Sequence, residues 1–179
     1  MKIIALQASP RKGGNCDVLI DEMAKGIEEN GGEVVKYFLE DQDIAPCKAC
    51  MYCASNPDCV RADDGNKILD DLVDADGVIF ASPIYYGQMA AQGKLIIDRF
   101  YSIGQNPEKN LSGKAALIFT SAAPTGSYEN YIELTAASPF GFMGYEVIGC
   151  VDAGGTGAPG SVKEQEDKLK EAYELGKQF

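Results

Sequence analysis

Short apolar runs recur along the chain and predict the strands of a sheet. The first run covers residues 2–6 and is apolar at every position after Lys2. Such a run is typical of a strand that is buried on both faces. Four similar runs predict further strands at residues 33–38, 77–81, 115–120 and 145–151.

Helical periodicity occupies the stretches between these strands. Leu19, Met23 and Ile27 recur every four positions, as on the buried face of an amphipathic helix, and glycines after Asn30 end it. In the C-terminal stretch from Val162, residues Leu169, Tyr173 and Gly176 share one helical face. The remaining helices are predicted at residues 66–73, 90–101 and 128–137.

Strand and helix alternate five times without repeats or a linker. This pattern predicts one α/β domain over residues 1–179 with a doubly wound parallel sheet. Ligands of such sheets bind beyond the carboxyl ends of the strands. We therefore expect chemistry in the loops after the first, third and fourth strands.

The loop after the first strand has the features of a phosphate site. It leads into a predicted helix N-terminus, where free N–H groups and the helix dipole favour an anion. Gly14 permits close approach of a ligand, and Arg11 offers a planar fork that matches phosphate oxygens. An ordinary strand-to-helix turn with Asn15 as N-cap is the alternative. The candidate ligands are Ser9, Arg11, Lys12, Gly14, Asn15 and Cys16. We expect the helix dipole and the two cations to lower the pKa of the Cys16 thiol and make it reactive.

This loop resembles the phosphate loop of the flavodoxin-like NAD(P)H-dependent FMN reductases, G-S-P-R-x-x-S/G-N-S/T. Ala8 replaces a common glycine, and Cys16 replaces a common hydroxyl residue. The resemblance implies a flavodoxin-like sheet of order 2-1-3-4-5 with bound FMN. Classical flavodoxins have no cation in this loop, so Arg11 favours a reductase over a simple electron carrier.

A second segment, Ser82 to Gly87, is similar to the S-P-x-Y-x-G loop of the same family, which implies a wall for the flavin ring. A turn whose tyrosines cap the core is the alternative. The implied ring contacts are Pro83, Ile84, Tyr85, Tyr86 and Gly87, with Thr120, Ser121 and Ala122 at the far edge of the flavin. Lys94, Asp98 and Arg99 resemble the K-x-x-x-D-R motif of the family, and we interpret them as ion pairs on a helix surface.

Four cysteines form a compact C-x2-C-x2-C-x5-C pattern at Cys47, Cys50, Cys53 and Cys59. They lie in an insertion after the second strand, residues 39–64, and connections this long are uncommon unless they are functional. The spacing is close to that of bacterial ferredoxins, whereas zinc sites more often use two separated C-x2-C pairs. We predict a [4Fe–4S] cluster, with redox-switching or free thiols and zinc as alternatives. Together with the phosphate loop, the pattern resembles the iron–sulfur flavoproteins.

Composition narrows the chemistry further. The chain has no histidine, which excludes a Ser-His-Asp triad, a Cys-His dyad and a His-ligated zinc. Its formal net charge of −11 disfavours nucleic acid and anionic membrane surfaces as partners. No targeting or membrane-spanning run is visible, so we expect a cytoplasmic protein with reduced cysteines.

Two minor motifs have structural interpretations. Gly155 to Gly160 matches G-x-G-x-x-G, but it follows the last strand and contains Pro159, so we exclude a dinucleotide fold. Asp63 is interpreted as the N-cap of the next helix.

These features predict an FMN-dependent oxidoreductase that passes electrons between a reduced donor, FMN and a [4Fe–4S] cluster. The alternatives are an NAD(P)H-dependent FMN or quinone reductase without a cluster, and a non-enzymatic carrier of the flavodoxin type. Expected partners are NAD(P)H or reduced ferredoxin as donor and a small molecule or protein as acceptor. The resemblance implies a homodimer or homotetramer.

Overall fold

A parallel sheet runs through the centre of the computed structural model, which describes residues 1–179. Its strand order is β2-β1-β3-β5-β6, and all four neighbouring pairs are parallel. This confirms the predicted flavodoxin-like arrangement, because the fourth and fifth predicted strands are β5 and β6. A short antiparallel strand, β4, adds to β3 and was not predicted. The strands are β1 Lys2–Gln7, β2 Glu33–Phe38, β3 Gly77–Tyr85, β4 Gln88–Met89, β5 Lys114–Thr120 and β6 Glu146–Ala153.

Six α-helices connect and cover the strands. The helix predicted at residues 90–101 is interrupted at Phe100, so that it forms two helices, and the one predicted at 128–137 continues as a π-helical turn, Ala136–Gly141. No helix has the length and apolar character that crossing a membrane requires. The helices are α1 Asn15–Glu29, α2 Asp64–Val73, α3 Ala91–Arg99, α4 Tyr101–Gly104, α5 Glu129–Thr135 and α6 Glu166–Gly176.

Two apolar cores lie on opposite faces of the sheet. On one face, α1 and α6 pack against the strands, and the predicted stripe of Leu19, Met23 and Ile27 is fully buried there. On the other face, α2 to α5 enclose a core in which the rings of Phe80 and Phe140 lie 5.3 Å apart. The central strands are therefore buried on both sides, which explains their unbroken apolar runs.

Glycines allow α1 and α6 to approach each other closely. A Cβ atom on Gly26 would lie 2.2 Å from the carbonyl oxygen of Tyr173, and one on Gly176 would lie 2.1 Å from that of Met23. Both distances are far below van der Waals contact with a rigid backbone. Only glycine fits at these two positions without moving the helices apart.

We expect Gly26→Ala to lower the free energy of unfolding by about 1–3 kcal/mol, the usual cost of overpacking. Urea denaturation measures this change. Gly104→Ala is the matched control, since a Cβ there meets only Met143, at 3.7 Å. That variant should be neutral or slightly stabilised, because alanine favours helix. A loss of the same size in both variants would contradict the close-packing argument.

Candidate functional site

The loops that follow β1, β3, β5 and β6 meet at the carboxyl edge of the parallel sheet. This edge is where ligands of doubly wound sheets bind. It contains the predicted phosphate loop, residues 9–16, and the predicted ring-contact residues. The geometry of each loop decides which of these residues are open to a ligand.

The phosphate loop leaves the N-terminus of α1 open. The N-cap is Gly14, which has no side chain, so no side-chain hydrogen bond caps the helix. A Cβ atom on Gly14 would lie 2.9 Å from the carbonyl oxygen of Arg11, which shows why glycine is needed in this turn. The backbone N–H of Arg11 donates to Ser9 Oγ at 3.2 Å and fixes the loop. Uncapped N–H groups at a helix start are suited to binding an anion.

The two cations of this loop are placed differently. Arg11 is exposed and takes part in none of the ion pairs of the protein. Lys12 Nζ donates to Asp41 at 2.5 Å and lies 4.9 Å from the centre of the Phe38 ring. Lys12 is thus engaged by the end of β2 and the turn after it, whereas Arg11 remains available for a ligand.

The side chain of Asn15 binds the backbone of the segment after β6. Its amide nitrogen donates to the carbonyl oxygens of Thr156 at 2.8 Å and Ala158 at 2.9 Å, and its oxygen accepts from the Val162 N–H. The alternative role of Asn15 as N-cap is wrong, because Gly14 occupies that position. The side chain is also committed to three partners, so only its backbone N–H is open to a phosphate.

Cys16 is buried beneath the phosphate loop. Its side chain is 1% exposed, and Sγ lies 3.4 Å from the Thr120 hydroxyl. Burial raises the pKa of the thiol to about 12. The expected reactive thiol with a lowered pKa is therefore wrong, since the loss of solvation outweighs the helix dipole. Cys16 and Thr120 support the loop from below.

The predicted ring segment is more regular than a loop. β3 continues through Ser82, Pro83, Ile84 and Tyr85, and a two-residue turn at Tyr86 and Gly87 leads back into β4. Both turn residues have positive φ, 50° and 81°, as the tight hairpin turn between twisted strands requires.

The exposure of the two hairpin tyrosines tests the alternative interpretation of this segment, in which they cap the core. Tyr85 and Tyr86 are exposed, so neither tyrosine caps the core. The Met89 N–H donates to the Tyr131 hydroxyl at 2.8 Å and ties the hairpin to α5. The hairpin thus presents two aromatic side chains at the ligand edge of the sheet.

The loops after β5 and β6 are joined by hydrogen bonds. The Thr156 N–H donates to the Ser121 carbonyl oxygen at 2.8 Å, and the Ser121 N–H donates to that of Ala153 at 3.2 Å. Ala122 lies next to this junction. Through Thr156 and Ala158, Asn15 holds the G-x-G-x-x-G segment, residues 155–160, beside the phosphate loop. Sequence reasoning missed this placement, although glycines after the last parallel strand were a usable signal.

The four predicted metal ligands converge on one cavity. Cys47, Cys50, Cys53 and Cys59 line a small concave site together with Arg61 and Arg99. Burial raises the pKa of the Cys53 thiol, and the nearby Cys59, Cys47 and Cys50 add to the rise. No group of three or more His, Cys, Asp or Glu side chains in the protein is arranged to hold a metal ion.

The backbone around Cys50 is strained. The two neighbours of this cysteine, Ala49 and Met51, have φ values of 52° and 60°. A non-glycine residue in this left-handed region costs about 1–3 kcal/mol and is most common at functional sites. The Ala49 N–H also donates to Cys47 Sγ at 3.5 Å. The backbone on both sides of Cys50 is thus held in an unfavourable conformation, which costs conformational energy.

A buried arginine anchors the cysteine segment. Arg99 Nη1 donates to Asp63 at 2.8 Å and to the Ala45 carbonyl oxygen at 3.1 Å, while Nη2 donates to Asn66 at 2.7 Å. The interpretation of Arg99 as a surface residue is wrong, because its side chain is fully buried. Asp63 is the N-cap of α2, as predicted, and accepts from the Gly65 N–H at 3.1 Å.

The rest of the K-x-x-x-D-R motif lies where the sequence predicts it. Lys94 Nζ and Asp98 form the expected ion pair on the surface of α3, at 2.5 Å. Both side chains are about half exposed, so this pair contributes little to stability.

A large cavity lies beside the cysteine segment and has a volume of about 1060 Å³. Its wall includes Cys47 and Met51 from that segment, Met89 from the hairpin, and Leu134 and Phe142 from α5 and the turn after it. Apolar side chains form most of this wall. The cavity was not predicted, because its lining residues come from separate parts of the chain.

Comparison with known proteins identifies the family. The family model described as NADPH-dependent FMN reductase matches residues 1–143. An iron-sulfur flavoprotein of Methanocaldococcus jannaschii is 34% identical over 99% of this chain and 94% of its own length. One of Archaeoglobus fulgidus is 30% identical over 98% of this chain and 77% of its own length.

A solved structure shares the fold. An FMN-dependent NADH-azoreductase of Bacillus anthracis, crystallised in complex with FMN, is 15% identical, has a TM-score of 0.70, and is matched over 99% of both chains. The family match, the two relatives and the open phosphate loop all point to a flavin-binding protein. The chain belongs to the NADPH-dependent FMN reductase family and is an FMN-dependent oxidoreductase.

Proposed function

We propose that this protein is an iron–sulfur flavoprotein, which accepts electrons from NAD(P)H and passes them between FMN and a [4Fe–4S] cluster. The observation that carries the proposal is the convergence of four cysteines on one cavity, in a chain that also has an open phosphate loop. The two relatives described above bear the name iron-sulfur flavoprotein.

The residues at the sheet edge fit FMN. In this proposal, Arg11 and the free N–H groups of Asn15 and Cys16 bind the phosphate. The hairpin residues Pro83 to Gly87 and the segment from Thr120 to Ala122 border the ring. The chain has no histidine, and hydride transfer to a flavin requires no acid or base from the protein. The work of the protein is then to bind and orient the flavin.

The residues of the cysteine segment supply the ligands that an iron–sulfur cluster requires. Thiolates are the ligands that iron–sulfur clusters require. The C-x2-C-x2-C spacing of these cysteines is close to that of ferredoxins, whereas zinc sites more often use two separated C-x2-C pairs. Four thiols that line one cavity supply the complete set of ligands for such a cluster.

A protein that holds both groups can join two kinds of electron transfer. When bound, FMN exchanges electrons in pairs or singly, whereas the cluster exchanges one at a time. Residues of both the hairpin and the cysteine segment line the cavity of about 1060 Å³. A small apolar acceptor would fit there, because ligand pockets are commonly about 300–1,000 Å³ and mostly apolar.

A second candidate function is that of an NAD(P)H-dependent FMN or quinone reductase whose cysteines remain thiols. The family model that matches residues 1–143, described as NADPH-dependent FMN reductase, supports this candidate. The iron content of the protein separates it from the first proposal.

Arg11→Ala should weaken FMN binding and leave riboflavin binding nearly unchanged, because riboflavin lacks the phosphate. A charge-assisted hydrogen bond contributes about 1.5–3 kcal/mol, which corresponds to roughly 10- to 150-fold in affinity. Flavin fluorescence titration of the apoprotein measures both ligands. Lys12→Ala is the control and should have a smaller effect, since Asp41 already engages its ammonium group. Equal losses for FMN and riboflavin would show that Arg11 only holds the loop.

Cys50→Ala should abolish the iron and sulfide content of protein purified without oxygen and leave the flavin absorbance intact. Loss of one of four ligands opens the cluster, while the phosphate loop is untouched. Cys150→Ala is the matched control, because Cys150 lies on β6 outside the cysteine segment. Its iron content should equal that of the wild type. A wild-type protein without iron under these conditions would favour the second candidate function.

A further inference from the structure

Two buried hydrogen-bond donors in the cysteine cavity lack acceptors. Five buried side-chain polar atoms in the protein have no hydrogen-bond partner, and two of these belong to arginines and act only as donors. They are the Nε–H groups of Arg61 and Arg99, and both side chains line the cavity of the four cysteines. Leaving a buried charged donor unpaired is costly. Two such donors in one small site point to an anion that belongs there.

Arg99 is held rigidly against this cavity. Its two terminal nitrogens are committed to Asp63, Ala45 and Asn66, which fixes the direction of the Nε–H group. Arginine stays protonated in proteins, and the buried ion pair with Asp63 favours its charged form. The guanidinium is therefore charged and lies next to a predicted cluster ligand.

Arg61 is the more independent of the two arginines. It is half-buried, and its guanidinium takes part in none of the ion pairs or side-chain hydrogen bonds that hold Arg99. Its position two residues after Cys59 places a positive charge on the same wall. Removing this charge should not disturb the network that anchors the segment to α2 and α3.

We infer that Arg61 and Arg99 donate hydrogen bonds to the sulfur atoms of a cluster held by the four cysteines and raise its reduction potential. The inference rests on the proposed function. Four thiolates outweigh the positive charge of an oxidised four-iron core, so the bound cluster is an anion that becomes more negative when it gains an electron. Nearby cations and N–H donors stabilise the reduced form more than the oxidised form, which makes reduction easier. Both arginines are positioning residues in this role and do not react.

Arg61→Gln tests the charge, and Arg61→Lys keeps the charge but removes the Nε–H donor. Lys48→Gln is the control, because Lys48 is an exposed cation at the same cavity, where solvent screens its charge. Iron and sulfide are first measured in all four proteins, purified without oxygen. A redox titration followed by the iron–sulfur absorbance and electron paramagnetic resonance then gives the potential of each cluster.

In Arg61→Gln we expect the ratio of reduced to oxidised cluster at a fixed potential to fall by about tenfold, as for loss of one nearby charge. The ratio in Arg61→Lys should lie between those of this variant and the wild type. The ratio in Lys48→Gln should stay close to that of the wild type. A wild-type potential in Arg61→Gln, or a shift no larger than that of Lys48→Gln, would overturn the inference. A wild type that contains no iron would overturn the proposed function itself.

If Arg61→Gln contained no iron, no potential could be measured, and the iron contents of the variants would then test the inference. Normal iron in Arg61→Lys would then support an electrostatic role for Arg61. Loss of iron from both variants, with circular dichroism unchanged from the wild type, would show that Arg61 acts through packing and would contradict the inference.

Discussion

The ion pair between Arg99 and Asp63 joins the cysteine segment to the rest of the protein. Ala45 and Asp63 bracket the four cysteines in the chain, and the Arg99 guanidinium donates to both of them. A buried ion pair stabilises a fold only when further hydrogen bonds offset the lost solvation. Asp63 meets this condition, since it also accepts from the N–H groups of Ala45 and Gly65. Burial opposes ionisation of the Asp63 carboxyl, but Arg99 and these N–H donors hold its pKa below the usual range.

The same network relates the two candidate cofactor sites. Arg99 ends α3, which follows the hairpin at the ligand edge of the sheet, while Asp63 caps α2 after the cysteine segment. A second link joins Lys12 of the phosphate loop to Asp41, which precedes the cysteines. The segment is thus tied at its start to the phosphate loop and at its end to the helix after the hairpin. The Lys12–Asp41 pair is exposed and contributes little to stability. The buried Arg99 network therefore keeps the four thiols at the end of the sheet where the flavin site is proposed.

Local patterns predicted the sheet and the helix N-terminus that follows its first strand. Buried parallel strands leave continuous apolar runs, and the stripe from Leu19 to Ile27 records the one face that α1 buries. Each of these two patterns is formed by residues that are only a few positions apart in the chain. The candidate site residues also come from local signals: Arg11 from its loop and the motif which that loop resembles, and the four cysteines from their spacing.

The errors arise where a residue's environment comes from distant parts of the chain. Because Arg99 follows Lys94 and Asp98 in the sequence, it is predicted to lie on the exposed face of the helix. Its buried partner Asp63, however, is 36 residues away in the chain. Cys16 fails for the same reason, since Thr120, which packs against its thiol, is 104 residues away, and the burial that raises its pKa has no local signature. Spacing can therefore name ligands for a cluster, but the charge around those ligands depends on tertiary contacts. The potential of a bound cluster would be set by that surrounding charge, which only the folded structure reveals.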